Sequence, residues 1–85
     1  MKMLEEAIEL YNGGEYEKAY NLFVDMAYER NAEACFYLGM MYFYGEGVDK
    51  DEDKCCDWWR KAAREGHQES AYRLSEIRAS TNVTF

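Results

Sequence analysis

The sequence predicts an all-α fold in which about five helices stack as antiparallel hairpins. Apolar residues recur at the three- and four-residue spacing of a helix face along most of the chain. The 85 residues contain no proline, so no interior position interrupts a helix. Glycines fall between the periodic segments, where a helix end favours them. A chain of this length makes a single domain, residues 1–85.

The first two helices are predicted over residues 1–11 and about 15–30. The first ends at Asn12-Gly13-Gly14, because glycine adopts the left-handed conformation of a helix end without steric cost. Its apolar face is Leu4, Ala7, Ile8 and Tyr11. The second has acidic residues at its start and Arg30 at its end, which suits the helix dipole. Its apolar stripe is Tyr16, Ala19, Tyr20, Phe23, Met26 and Ala27.

The third helix, residues 32–44, is apolar around its whole circumference. From residue 34 to residue 44 every position except Gly39 is apolar or aromatic. Such a helix must be covered on all sides, either by its own fold or by a partner. The run is too short to span a membrane. This surplus of apolar residues is the first indication of a binding function.

A loop, a fourth helix and a fifth helix complete the chain. Residues 45–50 form the loop, in which Val48 is expected to plug into the core. Asp51 is the expected N-cap of a helix that continues to about residue 65. Trp58 and Trp59, with Ala62 and Ala63, give that helix its apolar face. The fifth helix is predicted over residues 68–79, followed by a frayed tail over residues 80–85.

The third and fifth helices begin with similar segments. Ala32-Glu33-Ala34 precedes Leu38-Gly39, and Glu69-Ser70-Ala71 precedes Leu74-Ser75, with Glu33 and Glu69 36 positions apart, as are Leu38 and Leu74. A period in the mid-thirties built from helix pairs indicates a stacked helical repeat.

Residues 32–67 resemble one full Sel-one-like repeat, a relative of the tetratricopeptide repeat. Small residues, aromatics and a glycine-valine loop fall at the spacing of that family. The matching positions are Ala34, Leu38, Gly39, Tyr42, Gly45, Gly47, Val48, Asp51, Lys54, Trp58, Lys61, Ala62, Ala63 and Gly66.

The ends of the chain resemble the family less. Residues 1–31 look like a tetratricopeptide hairpin, through Gly14, Tyr16 and Ala19. Residues 68–79 look like a capping helix, because Ser75 stands where the family has glycine and Arg78 where it has an aromatic. The resemblance implies a right-handed superhelical stack of hairpins that binds a peptide or acts as a scaffold, without catalysis.

The resemblance also implies which residues line the concave inner wall. Leu38, Gly39, Met41 and Tyr42 would be used for packing, and Phe36 fits either role. Trp58 would be the core aromatic of the fourth helix, and Trp59, about 100° further round, is a candidate for partial exposure. The remaining positions are mostly apolar, which suggests recognition of a peptide or helix through apolar anchors. The predicted groove consists of Leu4, Ile8, Tyr11, Asn12, Glu33, Phe36, Met40, Phe43 and Tyr44.

Charge and composition exclude several classes of partner. The net charge is −7, and residues 1–33 hold three bases against eight acids. An acidic surface repels phosphate backbones, so no nucleic acid is expected as a partner. Solubility explains the negative charge better than electrostatic steering of a basic protein partner does. No apolar run is long enough for a membrane span, and the acidic start does not resemble a signal peptide. A cytoplasmic location is expected.

Neither a metal or cofactor site nor a catalytic site is predicted. Adjacent cysteines on a helix project about 100° apart, so Cys55 and Cys56 cannot chelate one zinc ion together. Both are interpreted as small core residues, as is usual for free cysteine. His67 lies in an inter-repeat loop, and the sequence supplies no nucleophile and orienting acid for it.

Three functional hypotheses follow, and an enzyme ranks below all of them. The first is a protein-interaction module that binds a peptide or helix in the apolar groove. The second is a homo-oligomeric scaffold, a homodimer for example, that pairs through the same face. The third is a small acidic inhibitor or immunity-type protein that docks on a basic partner.

Overall fold

The computed structural model describes residues 2–81, with side chains from residue 3 to residue 79, and these form five helices and no strand. The helices are α1 (Lys2–Asn12), α2 (Tyr16–Tyr28), α3 (Ala32–Tyr44), α4 (Glu52–Arg64) and α5 (Gln68–Thr81). The all-α prediction is confirmed, and α3 has the predicted bounds. Helix α5 continues two residues past its predicted end, so residues 80 and 81 are helical rather than frayed. The rest of the predicted tail, residues 82–85, lies outside the described residues.

The five helices stack in two layers along an elongated molecule of 46 × 25 × 17 Å. Each helix packs against the next one in the chain. In one layer α3 lies between α1 and α5, since its Tyr37 ring contacts Tyr11 of α1 and its Phe36 ring lies under Arg73 of α5. In the other layer α2 and α4 approach each other, since Ala27 and Lys61 line one cavity.

Two hydrophobic clusters hold this stack together. The first joins α1, α2 and α3 and consists of buried Ala7, Ala19, Phe23, Met26, Ala34, Leu38 and Met41. The second joins α3 and α4 and consists of Tyr42, Cys55 and Trp59. Tyr20, Val48 and Trp58 pack against both clusters. Helix α3 contributes to both, which uses much of its apolar circumference.

The register of α4 places Trp59 in the core. Trp59 is 1% exposed, whereas Trp58 is half-buried beneath the ammonium of Lys61. Cys55, Trp59 and Ala62 form the buried stripe, at i, i+4 and i+7. The expectation that Trp58 is the core aromatic of α4 is therefore wrong, and Trp59, the candidate for partial exposure, is the buried residue of the pair. The physical reason is the space beside Gly39, which admits the indole of Trp59.

The loop between α3 and α4 is anchored as predicted. Gly45 caps α3 in the left-handed conformation at φ 72°, and its N–H donates to the carbonyl of Met41 at 2.8 Å. Val48 is half-buried and packs against both clusters. Asp51 is the N-cap of α4, since its Oδ1 accepts from the backbone N–H of Lys54 at 3.0 Å.

The turns before α3 and before α5 have the same geometry, 36 residues apart (30 to 66). In the first, the N–H of Asn31 donates to the carbonyl of Met26 at 3.1 Å. In the second, the N–H of His67 donates to the carbonyl of Ala62 at 3.0 Å. Both turns have a residue with positive φ immediately before the N-cap, Arg30 at 64° and Gly66 at 91°.

The side-chain caps of these two helices correspond as well. Asn31 Oδ1 accepts from the N–H of Ala34 at 2.9 Å, and His67 Nδ1 accepts from the N–H of Ser70 at 3.2 Å. The hydrogen bonds of the two turns therefore repeat with the period found in the sequence.

Candidate protein-binding face

Helices α1, α3 and α5 share a surface, called the inner face below, with Tyr44 at its middle. Burial and a hydrogen bond to Glu46 raise the pKa of Tyr11 on α1, and the nearby phenol of Tyr44 adds to the rise. On α5, burial disfavours the charge of Arg73, but hydrogen bonds to Glu69 and Tyr44 outweigh it and raise the pKa of Arg73. Tyr44 is 53% exposed at the end of α3, the helix that lies between α1 and α5 in this layer.

The predicted groove residues of α1 divide between packing and exposure. Leu4, Ile8 and Tyr11 are half-buried and pack against the first cluster. The Tyr11 ring lies 5.6 Å from that of Tyr16, 6.4 Å from that of Phe23 and 5.5 Å from that of Tyr37. Asn12 is exposed. Tyr11 therefore serves as a packing residue whose outer edge reaches the surface.

The hydroxyl of Tyr11 also ties α1 to the loop after α3. It donates to Oε1 of Glu46 at 2.5 Å. This bond fixes the position of the α1 end of the inner face relative to the end of α3.

The predicted groove residues of α3 lie mostly on the α5 side of the helix. Phe36, Met40 and Phe43 are half-buried and pack against the second cluster. The rings of Phe36 and Phe43 lie 6.4 Å and 5.7 Å from that of Trp59. Glu33 is exposed at the start of the helix.

Tyr44 contacts this half-buried layer through Phe43. Its ring is perpendicular to that of Phe43, with the centroids 4.9 Å apart. The structure therefore brings Phe43 and Tyr44 together, and it places Tyr11 beside Tyr37 rather than against Met40 or Phe43.

Two residues that contact the predicted groove residues were not identified from the sequence. Tyr37 is half-buried and stacks on Phe23 with the centroids 5.0 Å apart. Arg73 lies over the rings of Phe36 and Trp59 at 5.7 and 5.9 Å, and its Nε donates to Glu69 at 2.9 Å. The 36-residue period makes residues 37 and 73 equivalent, so recognition of Tyr37 would have pointed to Arg73.

The cysteines have the environment of packing residues. Cys35 and Cys55 are buried, and Cys56 is half-buried rather than in the core. Burial raises the pKa of the Cys55 thiol to about 12, and burial also raises those of Cys35 and Cys56. Each thiol is therefore protonated at neutral pH, which disfavours both metal binding and nucleophilic attack. Within the described residues, no three His, Cys, Asp or Glu side chains converge to hold a metal ion.

Within residues 2–81, no helix has the length and apolar character that crossing a membrane requires.

Comparison with known proteins agrees with this architecture. The chain is similar to the ERAD-associated E3 ubiquitin-protein ligase component HRD3A of Arabidopsis thaliana, with 31% identity over 67 residues. The match covers 78% of this chain but 10% of the plant protein, so the chain spans about a tenth of that relative. The profile of the Sel1 repeat family matches residues 32–67, the helix–loop–helix unit of α3 and α4. Residues 32–67 are therefore a Sel1 repeat.

Proposed function

We propose that this chain is a non-catalytic protein-binding module that takes up a peptide or a helix on its inner face. Sel1 repeats generally mediate protein–protein interaction. The HRD3A protein is a component of a ubiquitin ligase, by its name a member of an assembly. The observation that carries the proposal is the exposed Tyr44 on α3, the middle helix of the inner face, whose ring contacts half-buried Phe43.

The chemistry of this surface suits a partly apolar ligand. Tyrosine offers a large ring and a hydroxyl at low conformational cost, and it is enriched among the residues that dominate binding energy. Covering an exposed aromatic side chain with apolar surface gains up to about 1.5–3 kcal/mol. Met40 and Phe43, half-buried beside it, extend the apolar area. Arg73 at the α5 edge adds a donor for a backbone carbonyl or carboxylate of the ligand.

The test uses two exposed tyrosines that differ in location. Tyr44 is 53% exposed on the inner face, and Tyr28 is 81% exposed at the end of α2. Affinity capture with wild type, Tyr44→Ala and Tyr28→Ala, followed by mass spectrometry, identifies proteins that bind the inner face. We expect such a partner to be retained by Tyr28→Ala and lost by Tyr44→Ala, with helix content unchanged in both.

Two outcomes would redirect the proposal. If Tyr28→Ala loses the partner and Tyr44→Ala retains it, the binding surface is on the α2 and α4 side, as an acidic inhibitor would require. If wild type sediments as a dimer and Tyr44→Ala as a monomer, the inner face pairs with a second copy of this chain instead.

A further inference from the structure

A cavity of about 350 Å³ lies on the other side of the molecule, between the ends of α2 and α4 and the start of α3. Its lining includes three of the ten lysines and arginines in the sequence, Arg30, Lys61 and Arg64. The remaining lining residues are Ala27, Cys35 and Glu65. Three cations face one carboxylate, so the lining has an excess of two positive charges in a protein of net charge −7.

None of the three cations of this cavity forms an ion pair with an acid among residues 3–79. Lys18, Arg60 and Arg73 each form an ion pair. Neither Arg30 nor Arg64 pairs with any acid among residues 3–79. Lys61 lies over the ring of Trp58 at 4.9 Å, an interaction that leaves its charge available. Lys61 and Arg64 lie in the last turn of α4, where the helix dipole favours positive charge. The dipole does not explain why Arg30, from the end of α2, lines the same cavity.

The backbone at Arg30 is a second, independent observation. Arg30 has φ of 64°, in the left-handed region that disfavours every residue with a Cβ atom, and it is the one such non-glycine residue among those described. The equivalent turn before α5 has Gly66 at this position. A strained residue in place of glycine indicates that its side chain has a use. Arg30 keeps a backbone conformation that glycine would adopt more easily, and its side chain supplies the third cation of the cavity.

We propose that Arg30, Lys61 and Arg64 form a binding site for a phosphoryl group carried by a peptide. A phosphoryl group on serine or threonine has a charge of about −1.5 to −2 at neutral pH, which matches the excess of two positive charges. Guanidinium groups donate paired hydrogen bonds to its oxygens. The net charge of −7 opposes an extended polyanion such as nucleic acid or an anionic membrane, whereas a compact anion in the cavity lies nearest to the two excess positive charges of its lining.

The peptide nature of the ligand rests on the proposed protein-binding function, but binding of the phosphoryl group itself does not. Isothermal titration with inorganic phosphate at low ionic strength therefore tests the site separately from any partner. A matched set of peptides, one with phosphoserine, one with serine and one with glutamate in its place, then tests the ligand. We expect the phosphoserine peptide to bind at least tenfold more tightly than the other two. Binding should weaken below about pH 6, where the phosphate gains a proton.

Arg30→Gly gives the sharpest variant, because it changes binding and stability in opposite directions. It removes the strain at φ 64°, so we expect the Tm to rise by about 4–8 °C. It also removes one cation, so the affinity for phosphate should fall about tenfold. Arg64→Gln should weaken binding similarly without raising the Tm. Arg60→Gln is the control, since Arg60 lies on the same helix but pairs with Asp57 outside the cavity.

Three results would overturn the proposal. The first is absence of any heat or chemical-shift change with inorganic phosphate. The second is equal affinity of wild type and Arg30→Gly. The third is equal affinity of the phosphoserine and glutamate peptides, which would show a site for carboxylates instead. None of these results bears on Tyr44 and the inner face, so failure of this site and failure of the proposed function are distinguishable.

Discussion

The indole ring of Trp59 lies directly against the backbone of Gly39. A Cβ atom at position 39 would come within 2.2 Å of two ring atoms and within 2.9 Å of a third. The ring is held in this position, because its Nε1–H donates to the carbonyl of Phe36 at 3.0 Å and the residue is 1% exposed. The close packing of α3 on α4 therefore depends on a missing side chain.

Gly39→Ala should lower the stability of the whole chain. Overpacking a core costs about 1–3 kcal/mol, and the buried indole has no room to retreat. Alanine gains back about 1 kcal/mol of helix propensity, so we expect a net loss of up to about 2 kcal/mol in urea unfolding. Trp59→Phe is the second single variant of a double-mutant cycle with Gly39→Ala. A double variant whose loss equals the sum of the two single losses would show that the contact is not the cause.

Val48→Asp should detach the loop between α3 and α4 from the core. Val48 packs against both clusters, and a carboxylate there has no partner. We expect the free energy of unfolding to fall by about 2–3 kcal/mol. Asp49→Ala, one exposed residue further along, should be neutral within about 0.5 kcal/mol. An unchanged Tm for Val48→Asp would mean that the loop is merely solvated.

Cys55→Ala should be nearly neutral although the residue is fully buried. The thiol has the volume of a small hydrophobe, and its loss leaves a small cavity worth about 1 kcal/mol. Because burial raises the pKa of the thiol to about 12, the native protein should react slowly with a disulfide reagent at pH 8. A fast reaction of Cys55, or zinc in equal proportion in protein purified without added metal, would contradict this environment.

Stability should decrease above about pH 10. A hydrogen bond to Tyr42 and burial raise the pKa of Tyr20 to about 12, against 10 in the unfolded chain. As the pH rises, Tyr20 therefore loses its phenol proton in the unfolded state before it does so in the folded state. Its contribution to the free energy of unfolding is fully present below pH 10 and decreases as the pH rises towards 12. Urea midpoints measured across this range should fall less steeply for Tyr20→Phe than for wild type. Identical slopes would show that Tyr20 is not the titrating group.

Much of the fold follows from patterns that the sequence carries locally. The bounds of α3 and the N-cap at Asp51 each depend on residues within a few positions of one another. The order of Trp58 and Trp59 could not be obtained this way. Both fit an apolar stripe of α4, and the choice between them is made by the space beside Gly39 on another helix.

The candidate site was predictable in location more than in detail. The sequence identifies α1 and α3 as sources of surplus apolar residues, and Tyr44 is exposed on that surface. It does not show that Tyr11 packs against three other rings or that Phe43 packs against Trp59. A double change of Tyr11 and Phe43 to serine would therefore reduce stability together with binding, which is why Tyr44→Ala is the cleaner test.

The side chains that belong to both hydrophobic clusters determine how the stack comes apart. Tyr20 on α2, Val48 in the loop and Trp58 on α4 each contact both clusters, so neither cluster can open without exposing part of the other. In a repeat protein, strong coupling between neighbouring units makes unfolding cooperative. The five helices should therefore melt in one transition, with calorimetric and van't Hoff enthalpies equal, rather than hairpin by hairpin. A segment cut from this chain at the α2–α3 turn would lack side chains that complete its hydrophobic core, so we expect it to fold poorly by itself.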